Sequence, residues 1–139
     1  MLINKTEHPI KFSEVDTLRV VWHGHYVRYF EDGREAFGKQ YELGYMDVFK
    51  YELAVPLIDL QVNFKKTLEY TDSVIIETRF VDTPAAKIIF DYHIYSKNHG
   101  FLACTGRSTQ VFMNPYTKEL HITMPAFMDE WKKKWGIKS

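Results

Sequence analysis

The chain of 139 residues is long enough to bury the core of one ordinary domain and too short for two. Its 18 acidic and 18 basic side chains cancel, which removes the basic excess that a general nucleic-acid binder needs to release counterions from phosphate. No run of ~18 apolar residues exists to span a bilayer, and the lone cysteine, Cys104, excludes an internal disulfide.

The first element is a strand from about Glu7 to Val15, where Ile10 and Phe12 alternate with Lys11 and Ser13 in the two-residue period of a half-buried sheet. Beyond Gly24 the period changes. Tyr26, Phe30, Gly33 and Phe37 recur at helical spacing, so one long helix is expected from His25 to Leu43, with Gly44 as its left-handed C-cap. Its other side carries Arg28, Glu31, Asp32, Arg34 and Glu35. Gly33 and Gly38 each cost such a helix about 1 kcal/mol relative to alanine, so close packing of the Gly33 side against a sheet must hold it. Tyr45 to Glu52 has no clear period. From Ala54 onward the pattern is strands: Val55 to Phe64 with Pro56 at its start, Ser73 to Val81, Lys87 to Ser96, Phe101 to Met113 and a short Leu120 to Met124. Turn residues separate them, Asp82-Thr83-Pro84-Ala85 and Lys97-Asn98-His99-Gly100 among them. Pro125 opens a terminal helix with Phe127, Met128, Trp131 and Trp135 apolar and Lys132 to Lys134 solvated. The sum is an α+β protein: a curved antiparallel sheet of five or six strands wrapped around one long central helix, plus a C-terminal helix, in a single domain over residues 1–139.

Aromatics make up 16% of the chain, more than so small a core hides, so some should line a pocket or a subunit contact unless the sheet takes them by β-propensity alone. The opening residues lack the apolar run of a signal peptide, and with one thiol the expected location is cytoplasmic.

The join between the first strand and the long helix holds a carboxylate, Asp16, and two imidazoles, His23 and His25, beside the unpaired N–H groups that open the helix. This is the expected active site. Apolar Val15, Leu18, Val20, Val21 and Trp22 surround Asp16 in sequence and would desolvate its carboxyl, raising its basicity, while the helix N-terminus favours the charged form. Gly24 would let a substrate approach the main chain, whose amides are natural donors to a developing oxyanion. His23 would orient the attacked carbonyl, the water or the Asp16 carboxylate. Two histidines at i, i+2 do not share a helix face, so no metal site is expected. Cys104 has no evident base and reads as core. Lys65, Lys66, Arg107 and Lys97-Asn98-His99 lie near strand ends, where they protect an edge or hold a phosphate.

The order Asp16, then Val20-Val21-Trp22, then His23-Gly24-His25-Tyr26, then Tyr29-Phe30-Glu31-Asp32-Gly33-Arg34 resembles the hot-dog-fold acyl-CoA thioesterases, in particular the 4-hydroxybenzoyl-CoA thioesterase and YbgC-like branch. The resemblance runs from about Ile10 to Met124. It implies hydrolysis of acyl-CoA or acyl carrier protein thioesters, with Asp16 as general base or nucleophile and His23 and Gly24 polarising the carbonyl; Arg19, Trp22 and Tyr26, in and beside the motif, are the residues expected to bind the substrate. It also implies a homodimer or homotetramer with active sites between subunits, and no cofactor or metal beyond the coenzyme A of the substrate. Two residues depart from the family pattern: Glu14 where it often has aspartate, and Arg19 where it has glycine. Arg19 could pair with Asp16 and depress its pKa, or bind a substrate carboxylate or phosphate. Two rival readings are a hydratase or dehydratase of the same fold with His23 as base, and a noncatalytic binder of an acyl ligand.

Overall fold

Polar side chains, not apolar ones, face inward from the first strand, and this moves it away from its expected place. In the computed structural model, which describes residues 1–137, strand β1 is Ile3–Pro9 rather than Glu7 to Val15. The last two residues of the expected domain lie outside the described residues. Asn4 is buried, and its Nδ2 donates to Gln40 Oε1 at 2.7 Å, so the inner face of β1 meets the long helix through a hydrogen bond that no hydrophobic period reveals. Phe12, which made the later segment read as a strand, is 73% exposed, and Phe12–Glu14 form a single 3-10 turn.

The other elements are helix α1 (His25–Tyr41), helix α2 (Tyr45–Phe49), strands β2 (Leu57–Phe64), β3 (Ser73–Val81), β4 (Lys87–Ser96), β5 (Leu102–Met113) and β6 (Leu120–His121), and helix α3 (Ala126–Lys134). The strands pair antiparallel in the order β1-β3-β4-β5-β2, with β6 on the far end of β5. Alternate residues of β3 and β4, Val74, Ile76, Phe80, Ile88, Phe90 and Ile94 among them, are buried. Across this face lies α1. A Cβ on Gly33 would stand 2.4 Å from Thr78 Oγ1 and 2.7 Å from Ile76 Cγ2, so only glycine lets the helix sit this close to β3. Phe37 is fully buried one turn later, its ring 4.8 Å from that of Phe90 and 6.4 Å from that of Phe80. A sheet wrapped on one central helix is the hot-dog arrangement.

Three local expectations change. Glu42, not Gly44, is the left-handed C-cap of α1, at φ 58°, while Gly44 at φ −76° precedes α2 and donates its N–H to Asp47 Oδ2 at 2.8 Å. Arg34, on the charged side of the helix by sequence, is buried. Its guanidinium donates to Gln110 Oε1 at 3.0 Å and to the Leu43 carbonyl at 2.8 Å, between the rings of Tyr45 and Phe90, and desolvation lowers its pKa. Lys132 is also buried rather than solvated, because its ammonium pairs with Asp82 at 2.7 Å and donates to the Thr83 carbonyl at 2.9 Å, fastening α3 to the β3–β4 turn. At the sheet margin, β2 leaves Leu57, Ile58 and Phe64 exposed.

Candidate active site

Asp16 sits in a tight reversal of the loop between β1 and α1, not at the tip of a strand. Val15 and Val21 form an antiparallel bridge at its base. Within it the Asp16 N–H donates to the Val20 carbonyl at 3.0 Å, the Arg19 N–H to the Asp16 carbonyl at 2.9 Å, and the Leu18 N–H to Asp16 Oδ1 at 2.8 Å. A short acid that captures an amide two residues on is a common turn device. Arg19 closes the reversal in the left-handed region, at φ 64°.

The loop is clamped to the start of α1 by Glu14. Its buried carboxylate accepts the Lys11 N–H at 2.7 Å and pairs with the Arg28 guanidinium from the second turn of the helix, while its carbonyl accepts the Trp22 N–H at 3.0 Å. Tyr29 lies against the same carboxylate, and burial followed by that negative charge pushes its phenol pKa upward. Glu14 thereby fixes the distance between the Asp16 reversal and the helix end. In the sequence Glu14 stands out only as a departure from the family pattern. Its signal was the spacing of Glu14 and Arg28 on two segments that could not be placed side by side without the fold.

At the helix end, the His25 N–H donates to the Trp22 carbonyl at 3.0 Å and the Tyr26 N–H to the His23 carbonyl at 3.3 Å. Among the described residues, the N–H groups of His23 and Gly24 have no partner. These two amides stand just ahead of the helix and are available as donors. Gly24 also makes room for a neighbour. The Trp22 indole lies over it, and a Cβ would meet Trp22 Cζ3 at 2.1 Å. Trp22 also leans on both imidazoles, with ring centroids 4.8 Å from His23 and 5.6 Å from His25.

Asp16, His23 and Tyr26 share one cleft of about 290 Å³, closed by Val20, Val21, Phe64, Lys65, Lys66 and Thr67. Tyr26 is buried, which pushes its pKa up to about 12, so its phenol is a neutral hydrogen-bonding group at physiological pH. Gly24, Trp22 and Arg19 do not line this cleft. Arg19 lines a second one, of about 410 Å³, with Phe12, Val15 and Tyr70, and Asp16 is the residue common to both. Within one chain the expected desolvation of Asp16 is absent: Asp16 itself is exposed, Leu18 is 78% exposed and Trp22 49%. Nor does Arg19 form an ion pair with Asp16.

The strand-end cations also separate. Arg107 grips Asp91 through two hydrogen bonds of 2.6 and 2.9 Å, and Lys97 pairs with Glu7 at 2.9 Å. Lys65 and Lys66 line the Asp16 cleft, Lys66 with its ammonium 5.1 Å from the Phe101 ring. Cys104 is fully buried, and burial pushes its thiol up to about 11, which makes it an inert core residue.

A family profile described as thioesterase-like superfamily matches residues 10–132. YneP of Bacillus subtilis (strain 168), named as an acyl-CoA thioesterase, is 30% identical over 96 residues, covering 69% of this chain and 70% of YneP. The structure of a DHNA-CoA thioesterase from Staphylococcus aureus superimposes with a TM-score of 0.84 at 26% identity, over 98% of this chain and 90% of that one. A 1,4-dihydroxy-2-naphthoyl-CoA thioesterase from Synechocystis has the same fold, with a TM-score of 0.83 at 13% identity over 98% of this chain and 99% of its own.

Proposed function

The chain belongs to the thioesterase-like superfamily and is a thioesterase of hot-dog fold; from that premise we propose that it hydrolyses acyl-CoA thioesters at Asp16, with acyl carrier protein thioesters as a further substrate form. The observation that carries the assignment of the site is the meeting of Asp16, His23 and Tyr26 in one cleft, with the His23 amide, and that of the next residue, Gly24, left unpartnered. A thioester carbonyl held by those amides gains charge on oxygen as it is attacked, and each such donor typically lowers the barrier by about 2.7–4 kcal/mol. Asp16 either takes the proton of the attacking water or attacks the carbonyl itself to give a mixed anhydride that water then opens. In both routes the thiolate of coenzyme A leaves and is protonated. The His23 imidazole and the neutral Tyr26 phenol hold the substrate in place, and Lys65 and Lys66 offer positive charge to the phosphates of the leaving half.

The reading uses no metal or cofactor, so chelators should leave turnover unchanged. It also includes a cytoplasmic location. No helix among the described residues is long and apolar enough to cross a membrane. We propose a homodimer or homotetramer with the site completed between subunits. Support comes from the open edge of β2, where Leu57, Ile58 and Phe64 are exposed and Phe64 also walls the Asp16 cleft. Light scattering behind size-exclusion chromatography measures the assembly directly.

The decisive experiment follows free thiol release from a panel of acyl-CoA and acyl carrier protein esters by wild type and Asp16→Asn. The nearly isosteric variant is expected to lose about 10²–10⁴-fold in kcat with an unchanged Tm. Undiminished turnover rejects Asp16 as the reacting group.

A further inference from the structure

The second cleft at Asp16 has a different chemistry from the first. Phe12, Val15 and Tyr70 give it an apolar wall, the Phe12 and Tyr70 rings meeting edge to face at 5.6 Å, and its only cation is Arg19. The other arginines are all engaged: Arg28 with Glu14, Arg34 with Gln110 and the Leu43 carbonyl, Arg79 with Glu77, and Arg107 with Asp91. Among the described residues the Arg19 guanidinium has no partner. It is carried on a backbone position of positive φ, where a β-carbon is disfavoured; the Arg19 main chain closes the reversal, but its guanidinium makes no hydrogen bond or ion pair there.

We propose that this cleft receives the acyl half of the substrate and that Arg19 selects acyl groups bearing a carboxylate remote from the thioester, a reading that rests on the thioesterase assignment above. Asp16 is the one residue shared by the two clefts, so an ester whose carbonyl lies at Asp16 extends one way past Lys65 and Lys66 and the other way past Phe12 and Tyr70. The side with two lysines suits the phosphate-bearing half. The side with ring faces and one planar cation suits an aliphatic or aromatic body ending in a single carboxylate, which a guanidinium fork can hold through two parallel hydrogen bonds. The acyl carboxylate must sit at the far end of its chain, because Asp16 repels a negative charge placed next to the carbonyl.

Matched pairs of coenzyme A esters test this: glutaryl against pentanoyl, and 4-carboxybenzoyl against 4-methylbenzoyl. The measured quantity is the ratio of kcat/KM for the acidic member to that for its neutral partner, in wild type, Arg19→Gln and Arg19→Lys. Wild type is expected to favour the acidic member by about tenfold or more in at least one pair. Arg19→Gln should collapse that ratio at least about tenfold, and Arg19→Lys should restore part of it, since charge returns without the fork. Two outcomes overturn the inference while leaving the thioesterase reading intact: wild type cleaving the neutral members at least as well, or Arg19→Gln lowering both members together, which would put Arg19 on the coenzyme A half. Failure of wild type to cleave any ester of the panel strikes the thioesterase reading itself and takes the inference with it. Circular dichroism of each variant checks that the fold is retained.

Discussion

Helix α1 has two ends with opposite characters. Around Gly33 and Phe37 it is pressed onto β3 and β4, with Phe37 wholly inaccessible and Gly33 leaving no room for a methyl group. At its start, one turn before Tyr26, the neighbours Asp16, His23 and Trp22 are exposed and two amides lack partners. The comparison teaches how the molecule separates stability from chemistry. Dense packing of one end fixes the axis of the helix; at the other, Tyr26, Tyr29 and Phe30 are buried and Glu14 clamps the loop, so only the residues ahead of the helix stay open.

Four changes test this division. Phe37→Ala removes a ring that touches Phe80, Phe90 and Tyr41, and should cost about 3–5 kcal/mol in denaturant unfolding while sparing kcat in whatever fraction remains folded. Loss of activity beyond the loss of folded protein would show that the two ends are not separable. Glu14→Gln keeps an acceptor for the Lys11 amide but breaks the ion pair with Arg28, and should cost about 1–3 kcal/mol. Because Glu14 is a positioning residue, its variant should also lower kcat with little change in KM, and Glu14→Asp should recover part of the rate; a purely structural role would leave kcat per folded molecule untouched.

Asp72 supports the base of the same loop, its carbonyl accepting the Ile10 N–H at 3.0 Å. Burial works to raise its carboxyl pKa, but hydrogen bonds from the Ser96 hydroxyl and the Asn98 and Ser73 amides outweigh it and hold the pKa below the usual 3.8. A depressed carboxylate stabilises the fold above its unfolded value and stops doing so as pH falls through the folded one, so stability should decline below about pH 4. Asp72→Asn should cost about 1–2 kcal/mol at pH 7 and flatten that acid decline in urea titrations. Gly24→Ala has the smallest expected effect on stability, below about 1 kcal/mol, because the clashing atoms are the far end of a half-exposed indole that can turn away. Fluorescence of Trp22 should shift with it. An unshifted spectrum would mean that the indole does not rest on Gly24 in solution.

The closed end of α1 was readable in the sequence and the open end less so. Apolar periodicity located His25–Tyr41 and the strands from Ser73 onward because those faces are buried by hydrophobic contact. It failed where polar groups do the burying. Asn4 faces the helix from β1, Arg34 is sandwiched between rings, and Lys132 is neutralised by Asp82, so each carries a solvent-like residue type into the interior. The loop from Ile10 to Val21 misled for the converse reason: Ile10 and Phe12 are spaced as in a strand, but Phe12 is exposed and lies in a 3-10 turn, and Leu18 is apolar yet exposed. Motif order singled out Asp16, His23 and Tyr26, which do meet in one cleft. Their walls, Phe64 to Thr67, lie far along the chain and were legible as the end of a strand, with Lys65 and Lys66 as edge protection or a hold for phosphate, but not as part of this site.

Cys104, sealed inside β5 with its thiol held in the neutral form, gives the molecule a built-in reporter. A thiol-reactive dye added to the native protein should label nothing until β5 opens, so labelling kinetics time the rare excursions of the sheet. In the same cuvette, the dye that counts released coenzyme A sees no background from the enzyme itself.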